Sequence, residues 1–252
     1  MITSKDNEII KHINKLKHKK YRNEFSEYII EGKKTIEEAL QYAENEVIKI
    51  ISSESYATKN NIPRETEIIS DELYEYISEQ KTAEGILGIV NKKEKLPAKY
   101  DEELIILLDD IQDPGNLGTI LRTLDSLNIS QIIISENTVD PYMPKVVSST
   151  MGSIFRINII KTDLYDEIDI LTNKGYKVMS SVLDDTAKSI YSINEREKIA
   201  LIIGNESHGV SKEYIDKTEK VYIPMLGKTE SLNAAMATGI MSYEIYRQKG
   251  LF

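Results

Sequence analysis

Cysteine is absent from the 252 residues, which excludes disulfides, thiolate metal sites and a cysteine nucleophile. Histidine is scarce: only His12, His18 and His208 occur. Two of the three lie in a basic N-terminal stretch, which argues against a histidine-based metal site, and no metal is expected. No apolar run approaches the ~20 residues that a membrane-spanning helix needs. The first eight residues, Met-Ile-Thr-Ser-Lys-Asp-Asn-Glu, lack the apolar region of a secretory signal. A cytoplasmic protein that does not engage a membrane is therefore expected. Several familiar chemical signatures are missing too. No G-x-G-x-x-G follows a strand, and no G-x-x-x-x-G-K-[ST] occurs, so neither a dinucleotide fold nor a P-loop is supported. H-E-x-x-H and G-x-S-x-G are also absent.

What remains is a chain long enough for one large domain or two small ones, with 40% hydrophobic residues to build a core. The net charge is -9, which argues at first sight against a polyanionic partner. Its distribution matters more than its sum. Residues 11–22, Lys-His-Ile-Asn-Lys-Leu-Lys-His-Lys-Lys-Tyr-Arg, hold no acid. Such a run fits contact with nucleic-acid phosphates, through Lys15, Lys17, Lys19, Lys20 and Arg22. A solvated helix face explains it equally well.

Residues 1–92 read as a small α/β unit. Strands are expected at 27–30, 47–51 and 85–90, a helix at 33–45, and a second helix capped by Asp71 and running through Leu73, Tyr76 and Ile77. Residues 93–103 are charged, hold one proline and lack periodicity, as a linker does. From 104 to 252 continuous apolar runs recur at 104–108, 132–134, 178–183, 199–203 and 221–223, with helix-like segments between several of them. Continuous rather than alternating apolarity predicts strands buried on both faces, hence a parallel sheet with helices on both sides.

Three polar, glycine-bearing segments follow the ends of those strands. In an open parallel sheet such loops converge outside the carboxyl ends of the strands, where ligands bind. The first is Asp113-Pro-Gly-Asn-Leu-Gly-Thr-Ile-Leu-Arg122. Asn116 is a good N-cap there, Leu117, Ile120, Leu121, Leu124 and Leu127 form an apolar stripe, and Gly118 and Arg122 are expected on an exposed face. A cation on the first turns opposes the helix dipole, and a phosphate ligand resolves the mismatch. The second is Ile202-Ile-Gly-Asn-Glu-Ser-His-Gly-Val210, where Gly204 permits a sharp turn and Glu206 leaves the sheet. His208 has the chemistry of a base, without a partner visible in sequence. The third is Ile223-Pro-Met-Leu-Gly-Lys-Thr-Glu-Ser-Leu-Asn233, opening a helix rich in small residues (Ala234, Ala235, Ala237, Gly239, Ser242). Pro224 ends its strand. Small residues let another backbone approach closely. Each segment alone is also explained by ordinary capping and packing.

Together, in this order, the three segments resemble the motifs of the SpoU (TrmH-type) family of RNA ribose 2′-O-methyltransferases, part of the SPOUT superfamily. The resemblance covers about residues 104–248. Asn116-x-Gly-x-x-x-Arg122 looks like its first motif, Gly204-Asn-Glu206 with Gly209 its second, and Ile223-Pro-Met with Ser231-Leu-Asn233 its third. Residues 1–92, with Glu31-Gly32 and Thr82-Ala-Glu-Gly85, are similar to the RNA-binding domain that often precedes this catalytic domain, which itself resembles certain RNA-binding ribosomal proteins. The resemblance implies a parallel sheet with a deep trefoil knot, which general topology rules argue against. It implies S-adenosyl-L-methionine as cofactor, held by Ile203, Gly204, Asn205, Ile223, Met225 and Leu232. It implies a homodimer that builds the site across its interface. It implies methyl transfer to a ribose 2′-hydroxyl of RNA, with Arg122 central, Asn116, Ser231 and Asn233 orienting the ribose and Arg122, and Glu206 positioning Asn116 or the loop. The two-domain layout points to ribosomal RNA. The competing readings are a transfer-RNA 2′-O-methyltransferase, an enzyme of this superfamily that methylates a base nitrogen, and a non-catalytic RNA-binding or ribosome-assembly protein on the same fold.

Overall fold

The computed structural model describes residues 1–63, 65–80, 82–94, 96–184, 186–193 and 197–252. The chain divides into two compact units, Met1–Glu94 with Asp140–Arg156, and Lys95–Val139 with Ile157–Phe252. No helix among the described residues is long and apolar enough to cross a membrane.

In the first unit the chain runs through α1 (Glu8–Leu16), α2 (Lys19–Phe25), β1 (Glu27–Glu31), α3 (Lys33–Tyr42), β2 (Val47–Ser53), α4 (Glu54–Lys59), β3 (Thr66–Ile69), α5 (Asp71–Ile77) and β4 (Ile86–Asn91). The strands form one sheet in the order β1-β4-β2-β3, with β4 antiparallel to both neighbours and β2 parallel to β3. Helix α1 starts because the Asn7 side chain accepts the Ile9 amide at 2.9 Å. Its Ile10, Ile13 and Leu16 share one face and are fully buried with Ile29, Ile51, Ile69 and Leu73. Each such side chain contributes about 1.5–3 kcal/mol.

Details of this unit depart from the sequence reading. Ser70, not Asp71, caps α5, its hydroxyl accepting the Leu73 amide at 3.3 Å. Asp71 is the first helical residue, and its carboxylate accepts the Ser55 amide instead. Helix α3 stops at Tyr42, and a single 3-10 turn covers Glu44–Glu46. Strand β3 was not expected, since Thr-Glu-Ile-Ile is short and carries a charge. Of the expected linker, Lys95 lies outside the described residues, and the other residues from 92 to 103 form no helix or strand.

The segment Asp140–Arg156 also belongs to this unit, and its helix α7 (Pro144–Thr150) packs on β1. Tyr142 sits against Tyr28, ring centroids 4.9 Å apart. Burial, then the Tyr142 hydroxyl, pushes the Tyr28 hydroxyl well above its ordinary range. Arg22 is 3% exposed and donates to Asp140 through Nε at 3.0 Å and Nη2 at 2.6 Å.

The second unit holds β5 (Leu104–Leu108), α6 (Pro114–Ser126), β6 (Gln131–Ile134), β7 (Asn158–Lys161), α8 (Leu164–Asn173), β8 (Tyr176–Ser181), β9 (Lys188–Ser189), β10 (Lys198–Ile203), α9 (Lys212–Ile215), β11 (Glu219–Tyr222) and α10 (Ala234–Lys249). Its seven strands form one parallel sheet, ordered β7-β6-β5-β10-β8-β11-β9. β5 and β10 lie side by side at the centre, which is why their runs are apolar without alternation. On one face Ile105, Leu107, Ala200 and Ile202 pack with Leu164, Ile168 and Leu171 of α8 and with Tyr214 of α9. Ile106, Leu201 and Ile203 alternate to the other side and are buried as well. Helix α10 contacts β10 and packs along α6. The strand β7 escaped the sequence reading because Asn158 to Lys161 is an edge strand with only partial burial.

Candidate active site

The first loop is organised by a cap the sequence analysis assigned to the wrong residue. Asp113 is the N-cap of α6, its Oδ1 accepting the Asn116 amide at 2.8 Å, with Pro114 at the first helical position. Asn116 is therefore inside the helix, and its side chain is free to bond elsewhere. Gly118 is buried with Leu117 and Ile120 rather than exposed, so only Arg122 of that pair faces solvent. Arg122 has no hydrogen-bond or ion-pair partner among the described residues.

The second loop turns back on itself at the end of β10. Asn205 and Gly209 exchange backbone hydrogen bonds of 3.1 and 3.0 Å, and Gly209 has φ +71°. A Cβ on Gly204 would stand 2.1 Å from the backbone of Gly209 and Val210, so only glycine fits there. The Asn205 side chain is spent inside the fold: Nδ2 donates to the Asp110 carbonyl at 2.7 Å, and Oδ1 accepts the Ser207 amide at 2.7 Å. Asp110 itself holds φ +57°, a strained conformation for a non-glycine residue, fixed by its own amide donating to Ser135 Oγ at 2.9 Å. The buried Asp109 carboxylate accepts the Ser211 amide at 2.7 Å. Burial, and after it the Asp109 carboxylate, push the Tyr214 hydroxyl up to about 12, which keeps it neutral behind the loop. His208 gains the partner that was not visible in sequence, its Nε2 lying 3.7 Å from Asp110 Oδ2.

The third loop ends on Asn233, the N-cap of α10, whose Oδ1 accepts the Ala235 amide at 2.9 Å and the Met236 amide at 3.3 Å. Its Nδ2 donates to Asn116 Oδ1 at 2.8 Å, and Asn116 Nδ2 donates to Glu206 Oε1 at 2.7 Å. One relay thus ties all three loops: α10 cap to α6 to the turn after β10. Each amide is used at both its oxygen and its nitrogen, which fixes the side chains against rotation.

Beside this relay lies a cleft of about 370 Å³. Its walls include Ile203, Gly204, Asn205, Ile223, Met225 and Leu232, the six residues named for the cofactor. Glu206 and Ser231 line it as well, whereas Asn116, Asn233 and Arg122 do not. Arg122 lies six residues beyond Asn116 on α6, a separation of about 9 Å along the axis and ~120° around it. The relay and Arg122 are thus not brought together within one chain. Ser181, Val182, Leu183, Glu230 and Met241 also line the cleft and were not among the expected cofactor residues. Of these, Ser181 ends β8 and 182–183 follow it, so all three were recoverable from the rule that parallel strands end on one edge.

The candidate RNA contacts lie in the other unit. Lys15, Lys19 and Lys20 are exposed on α1 and α2. Lys17 is paired with Glu79 at 2.9 Å. Arg22 is no surface cation: besides Asp140, it donates through Nη1 to the carbonyls of Leu16 at 2.9 Å and Lys17 at 2.8 Å. It is left out of the proposed RNA face for that reason.

A family model described as the SpoU rRNA Methylase family matches residues 103–243, and an MRM3-like substrate binding domain matches residues 7–88. The 23S rRNA (guanosine(2553)-2′-O)-methyltransferase RlmP of Bacillus subtilis (strain 168) is 32% identical over 251 residues, covering 97% of this chain and 98% of that protein. The crystal structure of an AdoMet-bound rRNA methyltransferase from Sinorhizobium meliloti superposes with a TM-score of 0.83 at 28% identity, covering 98% of this chain and 97% of that one. The SpoU methyltransferase AviRb from Streptomyces viridochromogenes, in complex with AdoMet, shares the fold at a TM-score of 0.80 and 22% identity, covering 98% of this chain and 100% of that one. With more than half its length matched by the family model and 97% of it aligned to a relative at 32% identity, the chain belongs to the SpoU rRNA methylase family.

Proposed function

We propose that this protein transfers a methyl group from S-adenosyl-L-methionine to a ribose 2′-hydroxyl in RNA, that its substrate is ribosomal RNA, and that it works as a homodimer in the cytoplasm. The observation that carries the reading is the relay Glu206–Asn116–Asn233 joining three loops beside one cleft.

The cleft suits the cofactor. Ile203, Ile223, Met225 and Leu232 offer apolar walls for an aromatic base, and Gly204 removes the side chain that would block backbone approach. Ser231, Glu206 and Glu230 supply polar atoms for the amino-acid end. Bound there, S-adenosylmethionine supplies an electrophilic methyl carbon. The chain's own residues then place the ribose oxygen in line with it, which accounts for much of the rate in such a displacement. Arg122 holds the RNA phosphate and stabilises the charge that develops on the 2′-oxygen as the new C–O bond forms, the C–S bond to the departing thioether breaks and the hydroxyl proton passes to solvent water. It is not the base, because a guanidinium does not deprotonate in a protein. Asn116, Asn233 and Ser231 orient the ribose, and Glu206 is a positioning residue that holds the Asn116 amide.

The dimer answers the separation of Arg122 from the relay. Met236, Tyr243 and Phe252 expose apolar surface at 58%, 44% and 74%, with the Tyr243 and Phe252 rings stacked at 5.7 Å. Covering that surface with a second copy lets Arg122 of one protomer serve the cleft of its partner. The family knot is supported by the strand order. After β8 and β9 the chain returns to insert β10 between β5 and β8, then places β11 on the far side of β8.

The test is transfer of labelled methyl from S-adenosylmethionine to unmodified ribosomal RNA and to transfer RNA, with Arg122→Ala alongside. Label recovered as a 2′-O-methyl nucleoside from ribosomal RNA, and lost in the variant, is the expected result. Label in transfer RNA alone overturns the substrate. Label on a base overturns the reaction. No label with no cofactor binding makes the chain a binding protein on this fold.

A further inference from the structure

The face formed by α1 and α2 carries more than charge. Four rings follow one another along it. His18 meets Tyr21 edge-on at 6.4 Å, Tyr21 stacks with Phe25 at 6.2 Å and an interplanar angle of 14°, and Phe25 meets His12 at 4.9 Å. Phe25 is anchored against the buried core of this unit, and Tyr21 stands outside it in the row. Lys15 Nζ lies 5.9 Å from the centroids of both Tyr21 and Phe25, and Lys20 Nζ lies 5.5 Å from that of Tyr21. Lys15, Lys19 and Lys20 are exposed and have no acidic partner among the described residues. By contrast, Lys11 pairs with Asp6 and Lys17 with Glu79. Glu27 is engaged by His12 at 2.5 Å. Glu24 is the one acid of α2 and makes no ion pair among the described residues.

Lys15 and Lys20, neither with an acidic partner among the described residues, reach the ring of Tyr21, which otherwise meets Phe25 and His18 in the row. Lysines can swing away from a ring face without breaking any other bond. The ligand that uses both an aromatic face and unpaired cations is a nucleotide whose base is out of its stack, with the base on the ring and the phosphates on the lysines. Duplex RNA hides its base faces in the stack and presents phosphates, 2′-hydroxyls and base edges, so it would use the lysines and offer no base face to Tyr21.

We infer that the α1–α2 face is a stacking platform for unpaired RNA, on which one base lies against Tyr21 while Lys15, Lys19 and Lys20 take the flanking phosphates. The inference rests on the reading of this protein as an RNA-modifying enzyme, and it narrows the substrate to a loop or single-stranded segment. The basic run alone pointed to phosphate contact; the ring geometry adds the requirement for an unstacked base.

The test is fluorescence anisotropy on the full chain with a labelled RNA hairpin bearing a single-stranded loop, and with a blunt duplex of the same stem. The wild type is expected to prefer the hairpin. Tyr21→Ala should weaken hairpin binding on the order of 10-fold, with duplex affinity and salt slope unchanged. Tyr21→Phe keeps the ring and should bind as the wild type does. Equal hairpin affinity for wild type and Tyr21→Ala overturns the platform, and so does an equal loss on hairpin and duplex. Methyl transfer measured in parallel separates the two readings. A wild type that methylates RNA without any Tyr21 dependence sinks the platform and leaves the enzyme. A wild type that binds the hairpin through Tyr21 yet transfers no methyl sinks the enzyme and leaves the platform.

Discussion

The cleft with its relay and the α1–α2 face, the two regions to which function is assigned by proposal, are built on opposite plans. Around the cleft, polar side chains satisfy one another: Asn233 donates to Asn116, Asn116 to Glu206, and Asn205 to the Asp110 carbonyl. On the α1–α2 face, Lys15, Lys19 and Lys20 are exposed with no acidic partner among the described residues, and Lys15 and Lys20 lie near aromatic rings. The difference follows from what each must meet. A site that aligns a reacting oxygen needs side chains locked before the substrate arrives. A surface that collects a flexible polyanion needs mobile cations with no competing acid. Arg122 belongs to the second kind although it sits in the first region, since it is exposed and unpaired on α6. Arg22 belongs to the first kind although it sits in the second region, being buried and bonded to Asp140 and two carbonyls.

Those two arginines give the sharpest ways to break the comparison. Arg22→Ala leaves the Asp140 carboxylate buried without its cation, and should destabilise the protein by about 3–5 kcal/mol. Thermal unfolding reads this directly as a large drop in Tm. A variant that melts like the wild type but binds RNA more weakly would return Arg22 to the RNA face. Arg122→Ala should leave Tm unchanged and lower kcat by about 10²–10³-fold, the loss typical of one donor to a developing oxyanion. Arg122→Lys should recover little, because a lysine cannot hold a phosphate bidentately. Near-full activity in the lysine variant would reduce Arg122 to a point charge.

The relay itself is tested at Glu206. In Glu206→Ala the Asn116 amide loses its acceptor, and kcat should fall on the order of 10-fold with a smaller change in cofactor KM. Glu206→Gln keeps an acceptor oxygen at the same reach, so its kcat should lie within about 3-fold of wild type. If Gln is as poor as Ala, the negative charge rather than the held amide is what the site uses.

The same division explains what was legible in the sequence. The central strands at 104–108 and 199–203 could be read because burial on both faces leaves an unbroken apolar run. The loops could be placed on one edge because parallel strands end together. Edge and short strands such as β3 and β7 could not be read, since half-exposed strands of four residues carry no period. Asp113 was passed over as a cap in favour of Asn116, although proline directly after an N-cap is a sequence signal. Arg22 was indistinguishable from its lysine neighbours because its partner, Asp140, is 118 residues away. The same holds for Asp140–Arg156, which lies between two strands of the second unit in sequence yet packs with the first. Long-range pairing of this kind leaves no trace in local composition.

The smallest expected effect is the one that best separates free from spent cations. Lys19→Gln with Lys20→Gln removes two exposed, unpaired charges, so RNA affinity should fall several-fold. The slope of log K against log salt should become shallower by about 1.4, from a release of ~0.7 counterion per phosphate contact on single strands. Lys17→Gln removes a charge already neutralised by Glu79 at 2.9 Å, and should change the slope by far less. Cofactor affinity should be untouched in both variants, because none of these residues lines the cleft. Titrating RNA at four or five salt concentrations distinguishes the cases without any assay of catalysis. Equal slopes for the Lys17 and Lys19/Lys20 variants would mean that pairing within the fold does not decide which cations meet RNA, and the contrast between the two regions would fail at its weakest point.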